Sequence, residues 1–591
     1  MMIRKYGSIG LSILVLAGII IGTALWIRLF SAGIQNYRSP LREVELPVQP
    51  DPAVHTTQVV LVLVSGLGYD DAEALALPVL EQLKQAGATA AIQSIPPTYS
   101  QTAWGSLITG APPTSNDAPP INLALSDLHP LEIDTLFDRA RQANLETALL
   151  GAADWERLVP GNQIDYTFFV DQPGPAADQA IFEAALPLVE SHQYNFTMIQ
   201  FTQVDFAARQ SGDTASETYR QAAFRVDSYL AQLSGAMDLN HSALVVLSDH
   251  GHIPDGGHGG NEVEVIWQPL VMIGETVIPG TYSDVSQLDI APTIATLLGL
   301  SVPNATQGRV LFEMLELSEE TQAGIQLAIA RQRLELLAAY LAQIQGEETM
   351  PSEQLETDVA RAQTALANDN ISGGLQLATL AQEEANAQLA IAIQSRLRKE
   401  QLARLVVAGL ILFIWFFVMW RRRGFHAGSV VVAAIISVAL YHSLYQLQGY
   451  SYSFSSAGAL AELPIQVARL TAFSMLVGGG LILILLMLTR EDHWLTLLGT
   501  GYGYGMLVTF MFALPVLWAF WQNGLWATWH LPDVGPAFWQ FTGLFQVMVA
   551  AILALLLPWP IMTLNLVVSL VRHYLGQTRS KKPDALPGLH L

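Results

Sequence analysis

Long uninterrupted apolar runs constrain this chain most, because only a lipid bilayer accommodates several of them side by side. The first run, Ile9–Ile27, follows Arg4 and Lys5 and is long enough to cross a bilayer. It predicts an uncleaved membrane anchor over residues 1–30, with a cleaved signal peptide as the alternative. Five further spans are predicted within residues 405–572: Leu405–Trp420, Ala427–Leu447, Leu470–Leu488, Leu495–Trp518 and Phe541–Val571.

Basic residues lie at alternate ends of these predicted spans. They occur at Arg4 and Lys5, at Arg421–Arg423, at Arg490 and in the tail from Arg572 to Lys582, while the other loops have almost none. Because basic loops stay on the cytoplasmic side, both termini, including the tail 573–591, are predicted to be cytoplasmic. The protein is therefore expected in the plasma or cytoplasmic membrane, with the segment between the first two spans outside.

That outer segment has the pattern of an α/β domain. From residue 57 to 316, short β-rich apolar runs alternate with helical patterns, which indicates a mainly parallel sheet flanked by helices. A polar linker, 31–56, precedes it, and residues 317–404, rich in Ala, Gln, Leu and Glu, predict a helical stalk that is either a spacer or a regulatory element. The predicted strands include Val59–Val64, Thr147–Leu150, Phe196–Phe201, Ala243–Leu247 and Pro269–Ile273.

Charge and cysteine content exclude some functions. The formal net charge of −22 argues against nucleic acid as a partner, because such a surface repels a phosphate backbone. The chain has no cysteine, so a metal site must use His, Asp, Glu or hydroxyl ligands. Neither observation identifies a protein partner.

The strongest chemical signal is Ser248-Asp249-His250-Gly251, which directly follows the apolar strand at 243–247. A glycine-rich segment, Gly256–Gly260, comes next and contains His258. Open α/β sheets place their sites at the carboxyl ends of strands, and nearby glycines let the backbone approach an ion or a phosphate. The alternative is a glycine-rich loop with incidental histidines.

These motifs resemble the Asp-His-Gly signature of the alkaline phosphatase superfamily, specifically its type I phosphodiesterase and nucleotide pyrophosphatase branch. Within that branch, the following His-Gly-Gly is most similar to the glycosylphosphatidylinositol ethanolamine-phosphate transferases. Further similar segments are Gly66-Leu67-Gly68 after the first strand, Trp155–Gly161 and Gln287–Thr293. The resemblance implies an alkaline-phosphatase-like fold and a metal-dependent phosphoester hydrolase or transferase. The order of anchor, outer domain and membrane spans also matches, which makes a lipid-linked head group the expected substrate.

The resemblance places the nucleophile at Ser100, within Pro97-Thr98-Tyr99-Ser100. Ser100 would lie at the amino end of a helix beginning near Gln101, where unpaired N–H groups and the helix dipole favour an anion. A bound cation would lower the pKa of its hydroxyl and make it a nucleophile. The alternative is that Ser100 only caps this helix.

The resemblance also implies one or two divalent metal ions, with zinc as the expected metal. One ion would be held by Ser65, Ser100, Asp249 and His250. Ser65 stands where the related enzymes have an aspartate, so a weak neutral ligand replaces an anionic one.

The second implied ion would be held by Asp205 and His258. Arg209 stands where the related enzymes have a third ligand, a histidine, and a guanidinium cannot ligate zinc. Arg209 could instead supply positive charge, because arginine binds phosphate and carboxylate well.

Three outcomes are compatible with these two departures. A single metal could remain, with Arg209 replacing the charge of the other, or neighbouring groups could complete a rearranged site. In the third, the domain is a catalytically degenerate pseudoenzyme that binds an anion or a partner. A transporter is the third functional hypothesis, after the enzyme and the binding module, and the near absence of charged residues in the spans argues against it. The neighbouring groups considered are Asp70, Asp71, His252 and Asp255.

Overall fold

A computed structural model of the protein describes residues 2–345, 350–421, 426–456, 462–491 and 493–580. The predictions for Arg422 and Arg423, and for the tail beyond residue 580, lie outside these described residues.

One mixed sheet forms the centre of the α/β domain, in the order β4-β3-β5-β1-β6-β7-β2-β8 with β9 beside β2. All paired strands are parallel except β7, which runs antiparallel to both β6 and β2. The predicted mainly parallel sheet is thus confirmed. The strands are β1 Gln58–Val64, β2 Ala88–Gln93, β3 Thr147–Ala152, β4 Tyr166–Val170, β5 Phe196–Phe201, β6 Ser242–Leu247, β7 Trp267–Gly274, β8 Gly280–Thr281 and β9 Val285–Ser286.

Helices cover both faces of this sheet, which explains why its central strands read as continuous apolar runs. On β1, Val59, Leu61 and Leu63 belong to one buried apolar cluster, and Val60 and Val62 belong to the cluster on the opposite face. The helices of this domain are α2 Tyr69–Leu75, α3 Pro78–Ala86, α4 Ser100–Thr109, α5 Leu136–Gln142, α6 Asp154–Leu158, α7 Pro175–Ser191, α8 Gln203–Ser211, α9 Glu217–Ala236, α10 Val263–Ile266 and α11 Ile290–Leu297. They follow α1, Met2–Gln35.

The segment after α1 is attached to the α/β domain. Arg38 donates from Nε and Nη2 to the two carboxylate oxygens of Asp117, at 2.9 and 2.6 Å. The backbone N–H of Ser39 donates to the same carboxylate at 2.8 Å. Because Asp117 is buried, this bidentate pair fixes the chain directly after α1 against the domain.

Three helices, α12 Glu319–Gln345, α13 Glu353–Ala367 and α14 Ile371–Arg421, form the predicted stalk region. Their apolar residues make a separate buried cluster in which Leu337 and Tyr340 pack with Ala381. The last helix continues without a break from the stalk into the apolar segment, since both compositions favour helix.

The described residues contain six candidate membrane spans, the number predicted, and the chain is an integral membrane protein. The sixth, Val534–Leu575, is formed by two consecutive helices. The last predicted span, Phe541–Val571, is two helices that meet at Leu557. Pro558 begins the second helix, because proline has no N–H for an intrahelical bond and fits best in a first turn. The helices after the stalk are α15 Ala427–Leu447, α16 Leu463–Leu488, α17 Trp494–Asn523, α18 Val534–Leu556 and α19 Pro558–Ser580.

Candidate metal centre and nucleophile

The carboxyl ends of β1, β5 and β6 meet the amino end of α4 at one edge of the sheet. The turn after β1 contains Gly66, whose φ is +83°. A Cβ there would lie 2.5 Å from His252 Cε1 and 2.7 Å from the Cα of Asp205. Only glycine therefore allows these two residues to approach each other at this edge.

Four buried side chains, Asp205, His250, His252 and His258, place ligand-type atoms within 4.8 Å of one another. The carboxylate Oδ1 of Asp205 lies 3.1 Å from His252 Nε2 and 3.6 Å from His258 Nε2. The rings of His250 and His258 stack with centroids 4.0 Å apart. This arrangement contains the residue types and the spacing of a divalent metal site.

The three imidazoles have the same hydrogen-bond arrangement. Each Nδ1 faces a backbone carbonyl, so in the neutral ring Nδ1 carries the hydrogen and the Nε2 lone pair points into the cluster. The 3.1 Å contact between His252 Nε2 and Asp205 Oδ1 requires either a proton or a metal cation between the two atoms, and the cluster can accommodate either one. The carbonyl partners are Gly251 for His250, Gly66 for His252 and Thr98 for His258, at 3.1, 3.0 and 3.1 Å.

Asp205 contacts both the histidine side chains of the cluster and the positively charged side chain of Arg209. Arg209, one helical turn along α8, places Nη2 2.6 Å from Asp205 Oδ2, the oxygen not facing His252. Burial would raise the pKa of Asp205, but the Arg209 guanidinium, together with the hydrogen bond to His252, holds that pKa well below its usual range. Asp205 is therefore an anion at neutral pH. The Arg209 side chain is 41% exposed, so its outer face can still meet a ligand.

Burial also keeps two of the histidines neutral. It lowers the pKa of His258 well below the usual value, and the neighbouring His250 adds to that effect. Burial lowers the pKa of His250 as well, against the opposing charge of Asp249. Neutral imidazoles can ligate a metal or accept a proton, which protonated ones cannot.

Ser100 lies beside this cluster. It is the first residue of α4, and its Oγ is 3.0 Å from His250 Nε2. Tyr99 occupies the N-cap position of the helix and makes no side-chain capping hydrogen bond. Because His250 Nδ1 donates to a carbonyl, the Ser100 hydroxyl donates to Nε2. Ser100 and His250 thus have the geometry of a nucleophile and its base.

Asp249 and Ser65 are nearby but are not part of the four-residue group. Asp249 Oδ2 accepts hydrogen bonds from Ser65 Oγ at 2.7 Å and from Trp104 Nε1 at 2.8 Å. Its Oδ1 accepts from the backbone N–H groups of Gly66 and His250, at 3.1 and 3.0 Å. Asp249 thereby holds the turn after β1 against the start of the segment that contains His250, and its role as a metal ligand stays a prediction.

From the sequence, His252 was considered only as one of four neighbouring groups that could complete a rearranged metal site. It lies two positions after His250, and residues at that spacing share a face in extended backbone, which is the signal that could have selected it. Of the other three candidates, Asp71 accepts a hydrogen bond from Tyr219 at 3.2 Å. Asp70 and Asp255 are exposed and are not in the group.

A loop of the membrane region contacts the glycine-rich segment that contains His258. Ser455, between α15 and α16, accepts a hydrogen bond from the Gly260 N–H at 2.9 Å and donates to Glu262 at 2.8 Å. A Cβ on Gly257 would lie 1.7 Å from the Ser455 carbonyl oxygen, so only glycine permits this approach. This end of the membrane region therefore borders the site directly.

The fold and this buried cluster define a metalloenzyme-type domain, and comparison with known families agrees. Residues 159–302 match the Metalloenzyme superfamily, which confirms the predicted alkaline-phosphatase-like character of the α/β domain. Among solved structures, an alkaline phosphatase superfamily protein from Vibrio parahaemolyticus is 15% identical, with a TM-score of 0.34 over 47% of this chain and 74% of that one. Murine ectonucleotide pyrophosphatase/phosphodiesterase 5 is 12% identical, with a TM-score of 0.34 over 42% of this chain and 96% of that one.

The chain is also similar to curated GPI ethanolamine phosphate transferases. The catalytic subunit of transferase 3 from Homo sapiens is 27% identical over 294 residues, which are 45% of this chain and 26% of that protein. The catalytic subunit of human transferase 2 is 25% identical over 281 residues, 44% of this chain and 28% of that protein. Transferase 2 from Schizosaccharomyces pombe is 24% identical over 264 residues, 40% and 34% of the two chains. The match thus spans about a third of these relatives or less.

Proposed function

We propose that this protein is a membrane-tethered, metal-dependent phosphoester transferase or hydrolase that acts outside the cytoplasm on a lipid-linked phosphoester. The observation that carries the proposal is the 3.0 Å contact of Ser100 Oγ with His250 Nε2, beside the buried Asp205, His252 and His258. The similarity to proteins named ethanolamine phosphate transferases supports the same class of reaction and a phosphoethanolamine-type head group.

The catalytic roles follow from the directions of the lone pairs. The Ser100 oxygen bonds to phosphorus while the bond to the leaving alcohol breaks, and its proton passes to His250 Nε2 and then to that alcohol. Water or a second alcohol takes the phosphoryl group from Ser100 by the reverse proton path. A divalent cation held by Asp205, His252 and His258, with zinc as the expected metal, would supply positive charge beside the phosphoryl oxygens.

The orientation is supported by contacts at the two ends of the membrane region. The α15–α16 loop contacts the α/β domain through Ser455, so that end faces the site. At the α16–α17 connection, which contains Arg490, Arg572 donates to the carbonyl of Met487 at 2.7 Å. Because basic residues favour the cytoplasmic side, this second end is cytoplasmic and the site is outside.

Removal of the metal tests the proposal. Full-length protein purified in detergent is expected to contain stoichiometric zinc or manganese and to hydrolyse a generic aryl phosphodiester. A chelator should abolish that turnover, and added metal should restore it, because the cation supplies charge that the remaining side chains do not replace. Elemental analysis and release of the aryl alcohol measure the two quantities in one preparation. Full turnover in metal-free protein would contradict the proposal.

A non-catalytic module that binds anions is the second candidate, and Arg209 is the observation that favours it. Its guanidinium is fixed by Asp205 and is partly open to solvent, as in a site that binds an anion without chemistry. Metal-free protein without turnover would favour this candidate. In that case the double variant Ser65→Asp with Arg209→His should restore metal uptake.

Substitutions of Arg209 distinguish a catalytic site from a non-catalytic anion-binding site. Arg209→Gln is expected to lower kcat/KM for the aryl phosphodiester about a hundred-fold, the usual effect of losing one preorganised charge donor. Arg209→His places an imidazole four residues after Asp205 and is expected to increase bound metal per protein. The matched control is Arg220→Gln, since Arg220 is 52% exposed and pairs only with Glu217 among the described carboxylates. Unchanged kinetics in Arg209→Gln would exclude Arg209 from the reaction.

A further inference from the structure

The Asp249 carboxylate receives four hydrogen bonds, two on each oxygen. Ser65 Oγ and Trp104 Nε1 donate to Oδ2, and the backbone N–H groups of Gly66 and His250 donate to Oδ1. An ionised carboxylate offers about four lone-pair sites. The number of donors matches the number of sites, so each site on this carboxylate already has a partner from the chain.

The main chain of Asp249 is fixed as well. Its carbonyl oxygen accepts hydrogen bonds from Ser94 Oγ at 2.8 Å and from Gln287 Nε2 at 3.0 Å. All three residues are buried, so water does not replace these contacts. Turning the carboxylate towards another ligand would leave several buried donors without a partner, which is costly.

Trp104 is held against this carboxylate by its packing. It is 4% exposed, and its ring stacks on that of Trp155 with centroids 4.7 Å apart and an interplanar angle of 15°. Trp155 in turn donates from Nε1 to Gln200 Oε1 on β5, at 2.8 Å. An indole nitrogen only donates hydrogen bonds, so Trp104 cannot become a metal ligand. A cation at Asp249 Oδ2 would have to displace this packed indole.

Ser65 adds a second neutral donor at the same oxygen. It is buried and directly follows β1. A serine hydroxyl that keeps its hydrogen is not among the usual protein ligands of zinc, which are thiolates, imidazoles and carboxylates. Ser65 and Trp104 therefore present two hydrogen atoms, with their partial positive charge, to Asp249 Oδ2, where the family resemblance places a cation.

The neighbouring cluster has the opposite arrangement. Asp205 Oδ1 lies 3.1 Å from His252 Nε2 and 3.6 Å from His258 Nε2. Each of these imidazoles donates from Nδ1 to a backbone carbonyl, so its Nε2 can serve as a ligand. Ligand atoms thus converge at the cluster, whereas hydrogen-bond donors converge at Asp249.

We infer that this centre binds a single divalent cation, and that hydrogen bonds from Ser65 and Trp104 replace the second ion that the family resemblance implies. The cation would be held by Asp205, His252 and His258. The inference rests on the proposed function, from which it takes the metal dependence. It gives that dependence a stoichiometry of one ion per chain.

The same hydrogen bonds give Trp104 a positioning role. Trp104 lies four residues after Ser100 on α4, so the two side chains share one face of the helix. Its N–H ties that helix to Asp249, at the carboxyl end of β6. Under this inference Asp249 belongs to the frame that orients Ser100 and is not a metal ligand.

The number of bound ions tests the inference in the wild-type protein. Full-length protein in detergent, loaded with excess zinc and then desalted, is expected to retain one zinc per chain by elemental analysis. Loaded with manganese, it is expected to give the electron paramagnetic resonance spectrum of isolated ions, because the two ions of a paired site lie about 3.5–4 Å apart and couple magnetically. Two ions per chain, or a coupled spectrum, would overturn the inference and leave the proposed function intact. Protein without bound metal would overturn both.

Two double variants test whether Trp104 helps to exclude the second ion. Ser65→Asp with Trp104→Phe supplies a carboxylate, removes the indole N–H and is expected to raise the retained zinc from one ion per chain to two. The matched control is Ser65→Asp with Trp155→Phe, which removes the other indole N–H of the stacked pair and leaves Trp104 on Asp249. It is expected to retain one ion. The same count in both double variants would overturn the role of Trp104, and the wild-type count decides the stoichiometry even if a variant does not fold.

Trp104→Phe alone tests the positioning role. The ring can still stack on Trp155, but the hydrogen bond to Asp249 is lost. We expect kcat for the aryl phosphodiester to fall about ten-fold, with KM and zinc content unchanged, because only the orientation of the nucleophile is affected. Unchanged kcat, or loss of zinc in step with kcat, would overturn this role.

Discussion

Ser100→Ala is expected to lower turnover of an aryl phosphodiester by at least about a thousand-fold, because loss of a nucleophile removes the covalent route entirely. The bound metal should remain, since the proposed ligands Asp205, His252 and His258 are untouched. The Ser100 side chain is small and lies at the end of α4, so the variant should also unfold at nearly the wild-type temperature. Steady-state kinetics, elemental analysis and thermal melting measure these three quantities.

Trapping of the phosphoryl group gives this prediction a readout other than rate. Wild-type protein that is quenched with acid during turnover of a labelled substrate should carry the label on Ser100, and Ser100→Ala should carry none. Ser228→Ala is the matched control, because Ser228 is exposed on α9 and donates only to the carbonyl of Arg225. If Ser100→Ala keeps near wild-type turnover, another group is the nucleophile.

His252→Ala is expected to weaken metal binding more than about a hundred-fold, whereas His250→Ala should keep the metal and lose turnover. Removing a residue that only hydrogen-bonds to a metal ligand lowers metal affinity about ten- to a hundred-fold, and removing the ligand itself lowers it more. The difference between the two variants follows from geometry. His252 Nε2 lies 3.1 Å from Asp205 Oδ1, while His250 Nε2 lies 3.0 Å from Ser100 Oγ.

Competition with a zinc-binding dye measures the affinities, and the aryl phosphodiester assay measures turnover. The control is His241→Ala, because this histidine is 69% exposed and pairs with Asp238 outside the site. Equal metal loss in His250→Ala and His252→Ala would mean that His250 is a ligand and that Ser100 has another base. Unchanged metal affinity in His252→Ala would exclude His252 from the centre.

The fold could be predicted from the sequence because its determining signals are local. The apolar run that became β1 is buried on both faces, and such runs between helical patterns indicate a parallel sheet. The segment that contains Asp249, His250 and His258 also stood out, through its position directly after β6 and its glycines. The family resemblance then added Ser100 and Asp205.

The remaining features depend on contacts between distant parts of the chain. That Asp249 is fully hydrogen-bonded is evident only once Ser65 and Trp104 are placed beside it. His252 could be chosen over Asp70 only when the turn at Gly66 was seen to bring it to Asp205. Likewise, the change of composition near residue 404 predicted that the stalk ends there, but α14 continues through this point without a break. The polar residues before it and the apolar residues after it both favour a helix, so the change in composition does not end the helix.

The unbroken α14 has a mechanical consequence. At 1.5 Å per residue, its 51 residues form a rod about 75 Å long, far longer than the hydrocarbon core of a bilayer, about 30 Å. With α12 and α13 packed along its amino-terminal part, the rod resists bending. A rigid rod of this length would hold the α/β domain, with its cluster of Asp205, His250, His252 and His258, at a constant distance from the apolar end of α14.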